Sequence, residues 1–163
     1  MLVLQPPTPL PAPAPDHPSI FLAGSIEMGS APPWQDRLIA DLADTDLIAF
    51  NPRRDDWDPS WTQSIDTPQF RAQVEWELAG LEHAELVAMV LVPGTRSPIS
   101  LLELGLHATS GRLVVCCPEG FWRKGNVDIV CQRYGIPQAA SHEALVAHIR
   151  QWLGRRLRGR DST

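Results

Sequence analysis

The stretch ELVAMVLVPGTRSPISLLELGLHA, residues 85–108, predicts a strand, a turn and a helix in direct succession. Residues 85–92 are apolar almost throughout, as in a strand buried on both faces of a sheet, and Pro93-Gly94 ends that strand with a turn. Ser97-Pro98 places a capping residue before a proline in the first turn of a helix, which we expect to run to Gly111. A buried strand that leads into a helix is the repeating unit of parallel sheets.

The rest of the chain repeats this alternation. Further apolar strands are predicted at 19–23, 47–50 and 113–117, and further helices at 34–42, from Pro68 onward, at 127–134 and at 141–157. The pattern indicates an α/β fold, a Rossmann-like or flavodoxin-like three-layer sandwich whose mostly parallel sheet has about five strands. Such sheets bind ligands beyond the carboxyl ends of their strands, so we expect the site in four segments: 24–29, 51–61, 93–98 and 118–126.

The 163 residues suit one domain, which we assign to 19–157. Residues 1–18 are predicted to form a proline-rich arm, because seven prolines occupy the fourteen positions 5–18 and favour extended conformers. The arm is predicted either to lie over the body or a neighbouring subunit, or to be a disordered tail. Residues 158–163 form a short tail.

The composition excludes several classes of protein. A formal net charge of -5 argues against nucleic acid as a partner, because phosphodiester backbones bind to basic surfaces. No apolar run is long enough for a membrane span, and the proline-broken start does not resemble a secretory signal. The three cysteines fit neither a disulfide framework nor a metal site. We therefore expect a cytoplasmic protein without metal or cofactor.

Glu103 is an acid in an unusually apolar helix. Ile99 and four leucines surround it in sequence, and we expect the helix to be largely buried, with little route from the carboxyl to water. A desolvated carboxylate that its surroundings keep ionised is the nucleophile that covalent glycosyl transfer requires. The alternative is a core acid bonded to the backbone or to an arginine.

Glu77 is a second acid at an apolar position. The helix from Pro68 places Phe70, Val74, Leu78 and Leu81 on one stripe, and Glu77 falls inside that stripe. Burying a carboxylate costs several kcal/mol unless it has a partner or a function. In the other interpretation, Glu77 lies at the edge of the stripe and reaches solvent, or pairs with an arginine.

Two such acids would support cleavage of a bond between an anomeric carbon and nitrogen. One carboxylate captures C1′ from the face opposite the base, and the second acid manages the proton on the departing base. A second base or water then attacks the glycosyl ester, and the two inversions give net retention.

Five segments together resemble the nucleoside 2-deoxyribosyltransferase-like family: IFLAGSI (20–26), FNPRRDDW (50–57), VEWELAGLEHAELVAMVLVPG (74–94), LLELGLHA (101–108) and CPEGFWRKGNVDIVCQRYGIP (117–137). The resemblance covers about residues 19–137. It implies a 2-deoxyribosyl transfer between nucleobases, with deoxynucleoside and free base as substrates. It also implies a homodimer or homohexamer with shared active sites.

The resemblance assigns roles to individual residues. It makes Glu103, in its ELG motif, the nucleophile, and places Glu77 where the family has an aspartate that contacts the base. Phe21 stands where some members have a tyrosine. The remaining predicted binding residues are Gly24 and Ser25 after the first strand, Asn51, Arg53 and Trp57 in the loop that covers the base, and Asn126 with Asp128, the asparagine being lent by a neighbouring subunit.

Two other functions remain open from the sequence. A hydrolase of nucleosides or nucleoside 5′-monophosphates could use the same scaffold, with Ser25 and Arg53 as phosphate donors. Arg53 and Arg54 could equally pair with Asp55, Asp56 or Asp58. A non-catalytic nucleotide-binding module is the third possibility, because the tyrosine is missing and the segment before Glu103 departs from the family pattern.

Overall fold

The computed structural model describes residues 1–12, 17–54, 58 and 60–160, with only the backbone of Arg160. Its centre is a six-stranded sheet in which every neighbouring pair of strands is parallel. In chain order the strands are β1 Leu2–Leu4, β2 Ser19–Gly24, β3 Ile48–Phe50, β4 Leu86–Val90, β5 Leu113–Cys116 and β6 Gln138–Ala139. In the sheet they lie in the order β1-β3-β2-β4-β5-β6. The predicted parallel α/β fold is confirmed.

Five helices connect and cover the strands: α1 Trp34–Asp41, α2 Pro68–His83, α3 Pro98–His107, α4 Lys124–Tyr134 and α5 His142–Arg160. Alternate residues of each strand face opposite sides, so the sheet has two cores. One core packs against α2, α3 and α4 through residues such as Trp76, Leu104 and Val127. The other packs against α1 and α5 through residues such as Leu38 and Ile149. The result is the expected three-layer sandwich.

Two short edge strands, β1 and β6, are not among the four strands that the sequence located. Leu2–Leu4, within the segment predicted to be an arm, pairs in parallel with Ile48–Phe50. Gln138–Ala139 pairs with β5 at the opposite edge. Strands of two or three residues have too little periodicity to be recognised in a sequence, because their pairing is set by distant partners.

The described part of the proline-rich segment packs on the body. Trp76 Nε1 donates a hydrogen bond to the carbonyl oxygen of Thr8, at 2.7 Å. The side chain of Gln5 donates to the carbonyl oxygen of Arg53, at 2.8 Å, and Leu10 packs against the core beneath α2. Of the two predictions for this segment, packing on the body is the one that these residues follow.

The order in which strands are added to the sheet reverses between β2 and β4, because β3 lies on one side of β2 and β4 on the other. This is the position where open parallel sheets form a ligand-binding crevice. Gly24 ends β2 there with φ +133°, and a Cβ at this position would overlap the backbone of Val90. Because Gly24 has no side chain, the ends of β2 and β4 can lie close together where the two strands lead into their loops.

We expect Gly24→Ala to lower the free energy of unfolding by about 3 kcal/mol or more, because the new methyl group meets a backbone carbonyl in addition to the unfavourable φ. Gly94→Ala is the matched control, since Gly94 has φ +82° but no atom lies within 4 Å of the position that its methyl group would take. That variant should lose only about 1 kcal/mol. Chemical denaturation of both variants measures the difference, and equal losses would contradict the steric explanation.

Candidate active site

Glu103 lies on the inner face of α3. Ser100, Glu103 and Leu104 are the buried residues of this helix, and Glu103 is 8% exposed. Within the described residues its carboxyl has neither a hydrogen-bond partner nor an ion-pair partner. The alternative of a core acid satisfied by the backbone or by an arginine therefore does not describe Glu103.

The other faces of α3 differ from our expectation. Ile99, Leu102 and Leu106 are 60%, 59% and 59% exposed, so the prediction of a largely buried helix is wrong for a single chain. The helix α3 has apolar residues on two of its surfaces. One faces the sheet, and the other is an unpaired stripe at positions i, i+3 and i+7.

Glu77 is half-buried on α2, close to a fully buried amide. The side-chain nitrogen of Gln73, one turn earlier, donates to Glu77 Oε1 at 2.7 Å and to the carbonyl oxygen of Pro52 at 3.1 Å. Arg54 Nη1 donates to the amide oxygen of Gln73 at 3.4 Å. Gln73 thus joins Glu77 to the loop that follows β3.

The predicted buried stripe of α2 is shifted. Gln73, Trp76, Gly80 and Leu81 are its buried residues, whereas Leu78 is 40% exposed. The shift arises because Gly80 lets the helix approach Phe21 closely: a Cβ at Gly80 would lie 2.6 Å from Phe21 Cε2. Phe21, a predicted binding residue, is 1% exposed and packs against Trp76 with ring centroids 6.3 Å apart.

The two acids interact electrostatically. Burial, and in second place the negative charge of Glu77, raise the pKa of Glu103 to about 8. Burial also raises the pKa of Glu77, and the hydrogen bond from Gln73 lowers it in part. The surroundings of Glu103 thus disfavour the ionised form that the sequence led us to expect. Since each negative charge disfavours the other, Glu103 ionises less readily when Glu77 is ionised.

Ser25 lies in a network of hydroxyl groups at the carboxyl end of β2. Its Oγ lies 2.7 Å from Thr95 Oγ1 and 2.7 Å from Ser97 Oγ, and it accepts the N–H of Val92 at 2.9 Å. These bonds join the loops after β2 and β4. The Ser25 hydroxyl therefore holds the start of α3 in place.

Glu27 supplies an anion to the start of α3. Its Oε1 accepts the backbone N–H groups of Arg96 at 2.8 Å and Ser97 at 2.6 Å. Ser97 itself adopts a left-handed conformation, with φ 46°, and its side chain does not cap the helix. Glu27 was not predicted from the sequence, because its position depends on a turn in which Glu27 and Met28 both have positive φ.

Arg53 is bonded within the protein. Its guanidinium donates to the carbonyl oxygens of Gly29 and Ala31, both at 2.9 Å, and to that of Pro32 at 3.4 Å. Its backbone N–H donates to Asn51 Oδ1 at 3.1 Å. Asn51 and Arg53 therefore shape the loops around the crevice. Trp57, predicted to cover a base, lies outside the described residues.

A separate groove of about 340 Å³ lies between α3 and α4. Leu101, Gly105, Trp122 and Asn126 are among its lining residues, and Glu103 is not. The predicted Asn126 is exposed and lines this groove, whereas Glu103 of the same chain does not. Asp128, next to it on α4, is paired with Lys124 at 2.8 Å.

A three-layer sandwich around a parallel sheet with a change of strand order at its centre belongs to the doubly wound class of α/β folds, in which ligands bind at the crevice formed there. The family model described as "Nucleoside 2-deoxyribosyltransferase like" matches residues 17–121, which is more than half of the chain. The chain belongs to this family, which confirms the resemblance inferred from its motifs.

A crystal structure of a conserved protein from Enterococcus faecalis V583 has the same fold. It is 14% identical, with a TM-score of 0.59, and the similarity covers 83% of this chain and 98% of that one. No curated protein matches the sequence significantly. In the part of the chain that the structure describes, no helix has both the length and the apolar character to cross a membrane.

The raised pKa of Glu103 predicts how stability depends on pH. Its folded-state pKa of about 8 exceeds its ordinary value near 4.5, so the folded protein binds the proton more tightly. The resulting stabilisation is complete below pH 4.5 and is lost as pH rises toward 8. We expect Glu103→Gln to abolish most of this loss, which is on the order of 3 kcal/mol. Denaturation at several pH values measures it.

Glu82→Gln is the control for this measurement, because Glu82 is an exposed residue of α2. The unfolding free energy of the Glu82→Gln variant should depend on pH as that of the wild type does. An identical pH dependence for the wild type and Glu103→Gln would show that Glu103 does not titrate abnormally.

Proposed function

We propose that the protein is a nucleoside 2-deoxyribosyltransferase in which Glu103 is the nucleophile and Glu77 the acid–base residue. A Glu103 carboxylate oxygen bonds to C1′ as the bond from C1′ to the base nitrogen breaks, and the base leaves with the electron pair and a proton from Glu77. An incoming base attacks C1′ of the ester, returns its proton to Glu77 and releases Glu103. Two inversions at C1′ give net retention.

One observation carries this proposal: two poorly solvated acids on neighbouring helices interact with each other, and Glu103 has no cation beside it within the described residues. The first half-reaction consumes one negative charge and one proton. A pair of carboxyls in which one is ionised and the other protonated supplies both the negative charge and the proton. Substrate binding must then leave the negative charge on Glu103 and the proton on Glu77, and a bound base that accepts a hydrogen bond from Glu77 would favour that arrangement.

The contacts of Arg53, Ser25 and Glu27 favour an uncharged nucleoside over a nucleoside 5′-monophosphate. The guanidinium of Arg53 is bonded to carbonyl oxygens. The Ser25 hydroxyl is hydrogen-bonded to neighbouring hydroxyls, and the Glu27 carboxylate accepts hydrogen bonds from the backbone N–H groups before α3. A phosphate would have to displace these bonds and lie close to a carboxylate.

The test supplies a deoxynucleoside and a second free base and follows both nucleosides by chromatography. We expect an exchanged nucleoside from the wild type and a loss of at least about a thousandfold in Glu103→Gln, because the glycosyl ester cannot form. A 2-fluoro-substituted deoxynucleoside analogue should leave its sugar on the peptide that contains Glu103, as detected by mass spectrometry.

Glu82→Gln is the control variant and should retain wild-type exchange. Release of base without any need for an acceptor would replace transfer by hydrolysis. A complete absence of turnover with every deoxynucleoside would favour a binding module.

We further propose that the active site is shared between subunits. Ile99, Leu102 and Leu106 form an exposed apolar stripe, and Trp122 beside the groove is 49% exposed. Asn126 lines a groove that excludes Glu103 of its own chain. A second copy packed on α3 would cover the stripe and could bring its Asn126 to the sugar hydroxyls at Glu103 of the first chain.

Mixing two inactive variants tests this arrangement. Glu103→Gln and Asn126→Ala should each be impaired, and subunit exchange between them should restore activity up to about a quarter of the wild-type level, because some sites then receive both native residues. Leu106→Glu should reduce the oligomer mass measured by light scattering, whereas Ile65→Glu, at an exposed loop residue, should not. No restoration in a confirmed mixed oligomer would contradict the shared site.

A further inference from the structure

Both the nitrogen and the oxygen of the Gln73 side-chain amide form hydrogen bonds. Gln73 is 4% exposed, and its nitrogen donates to both Glu77 Oε1 and the carbonyl oxygen of Pro52. Its oxygen accepts from Arg54. The opposite orientation of the amide would direct its oxygen at two acceptors and its nitrogen at a guanidinium donor. Hydrogen-bond chemistry therefore fixes this orientation.

This orientation constrains the carboxyl of Glu77. An oxygen that accepts an N–H at 2.7 Å cannot also carry the acidic proton in that direction. Because the carbonyl oxygen of a neutral carboxyl is the stronger acceptor, this hydrogen bond favours the proton of a neutral Glu77 on Oε2. Since Gln73 is bonded to the loop after β3 as well, the carboxyl also keeps a fixed position relative to residues 51–54.

We propose that Gln73 is a positioning residue for the proposed transfer reaction: it fixes the Glu77 carboxyl against the loop after β3 and determines which oxygen exchanges a proton with the base. The inference rests on the proposed function, in which Glu77 is the acid–base residue. Gln73 itself touches no reacting atom and acts through Glu77.

Gln73 also affects how readily Glu77 ionises. In the described part of the chain, the charged groups that act on Glu77 are Glu103 from α3 and, through the Gln73 amide, Arg54 from the loop. The Gln73 hydrogen bond favours the ionised form of Glu77 and opposes the effect of burial. Without it, every state with an ionised Glu77 becomes less stable, so both the titration of Glu77 and the pH–rate profile should move to higher pH.

Gln73→Met tests the proposal, because methionine has a similar length and no N–H donor. We expect the Glu77 midpoint to rise by about one pH unit, measured by NMR on isotope-labelled glutamate with Glu77→Gln as the assignment reference. We also expect kcat to fall about tenfold with KM changed less than about twofold, because the carboxyl loses its orientation rather than its contact with the substrate. Gln69→Met, an exposed position of the same helix, is the matched control and should match the wild type.

The double variant Gln73→Met/Glu77→Gln separates positioning from a structural role. If Gln73 acts through Glu77, the second substitution removes the effect of the first, and kcat equals that of Glu77→Gln alone. A further tenfold loss in the double variant, or an unchanged Glu77 midpoint in Gln73→Met, would overturn the proposal. Should Gln73→Met not fold, Gln73→Asn keeps an amide but withdraws it by one methylene, and it should shift the Glu77 midpoint in the same direction.

The titration is independent of activity. If the wild type shows no base exchange, the proposed function fails, while the Glu77 midpoint still decides whether Gln73 controls this carboxyl. If exchange is present and Gln73→Met leaves both midpoint and kcat unchanged, only the inference about Gln73 fails.

Discussion

The carboxyl of Glu103 is buried where its charge is disfavoured and lies within electrostatic reach of a second acid, Glu77. Two other acids of the molecule have partners: Glu85 is bonded to Arg156 by two hydrogen bonds, and Glu27 accepts two backbone N–H groups. Within the described residues, the carboxyl of Glu103 has no such partner. Strain of this kind persists at functional sites, where a poorly solvated group is chemically useful.

The rest of the fold holds that carboxyl in place. Gly24 lets β2 and β4 approach before they lead into their loops, and the hydroxyl of Ser25 joins those loops. The Glu27 carboxylate then fixes the backbone from which α3 begins. Because α3 is a regular helix from Pro98, these contacts at its start also determine where Glu103 lies one and a half turns later. The position of the acid is therefore set by backbone contacts at the centre of the sheet.

The sequence predicted the parts that are periodic and local. The strand and helix of residues 85–108 were recognisable because an apolar run, a Pro-Gly turn and a Ser-Pro helix start follow one another. The same local signals cannot reveal pairing between distant segments, so the edge strand Leu2–Leu4 was missed. Local signals also cannot show that Gly80 allows α2 to pack closely on Phe21. This contact makes Trp76 part of the buried face of α2.

The candidate site was only partly predictable for the same reason. Both glutamates could be singled out as acids at apolar positions, but the raised pKa of Glu103 depends first on its burial in the fold and then on Glu77, which another helix supplies. The hydrogen bonds of Glu27 depend on residues with positive φ, for which its sequence contains no signal. Gln73 was within reach, since residues four apart share a helical face and its amide could be expected to meet Glu77.

A single helix, α3, carries both the buried acid and the exposed apolar stripe. A partner that covered Ile99, Leu102 and Leu106 would remove water from the surroundings of this helix and would strengthen the interactions among the charges near it. Burial is already the main cause of the raised pKa of Glu103, so association would act in the same direction. The apolar residues around Glu103 therefore divide into two groups: Leu104 packs in the core beside the acid, and Ile99, Leu102 and Leu106 form the exposed stripe on which our proposal of a shared site rests.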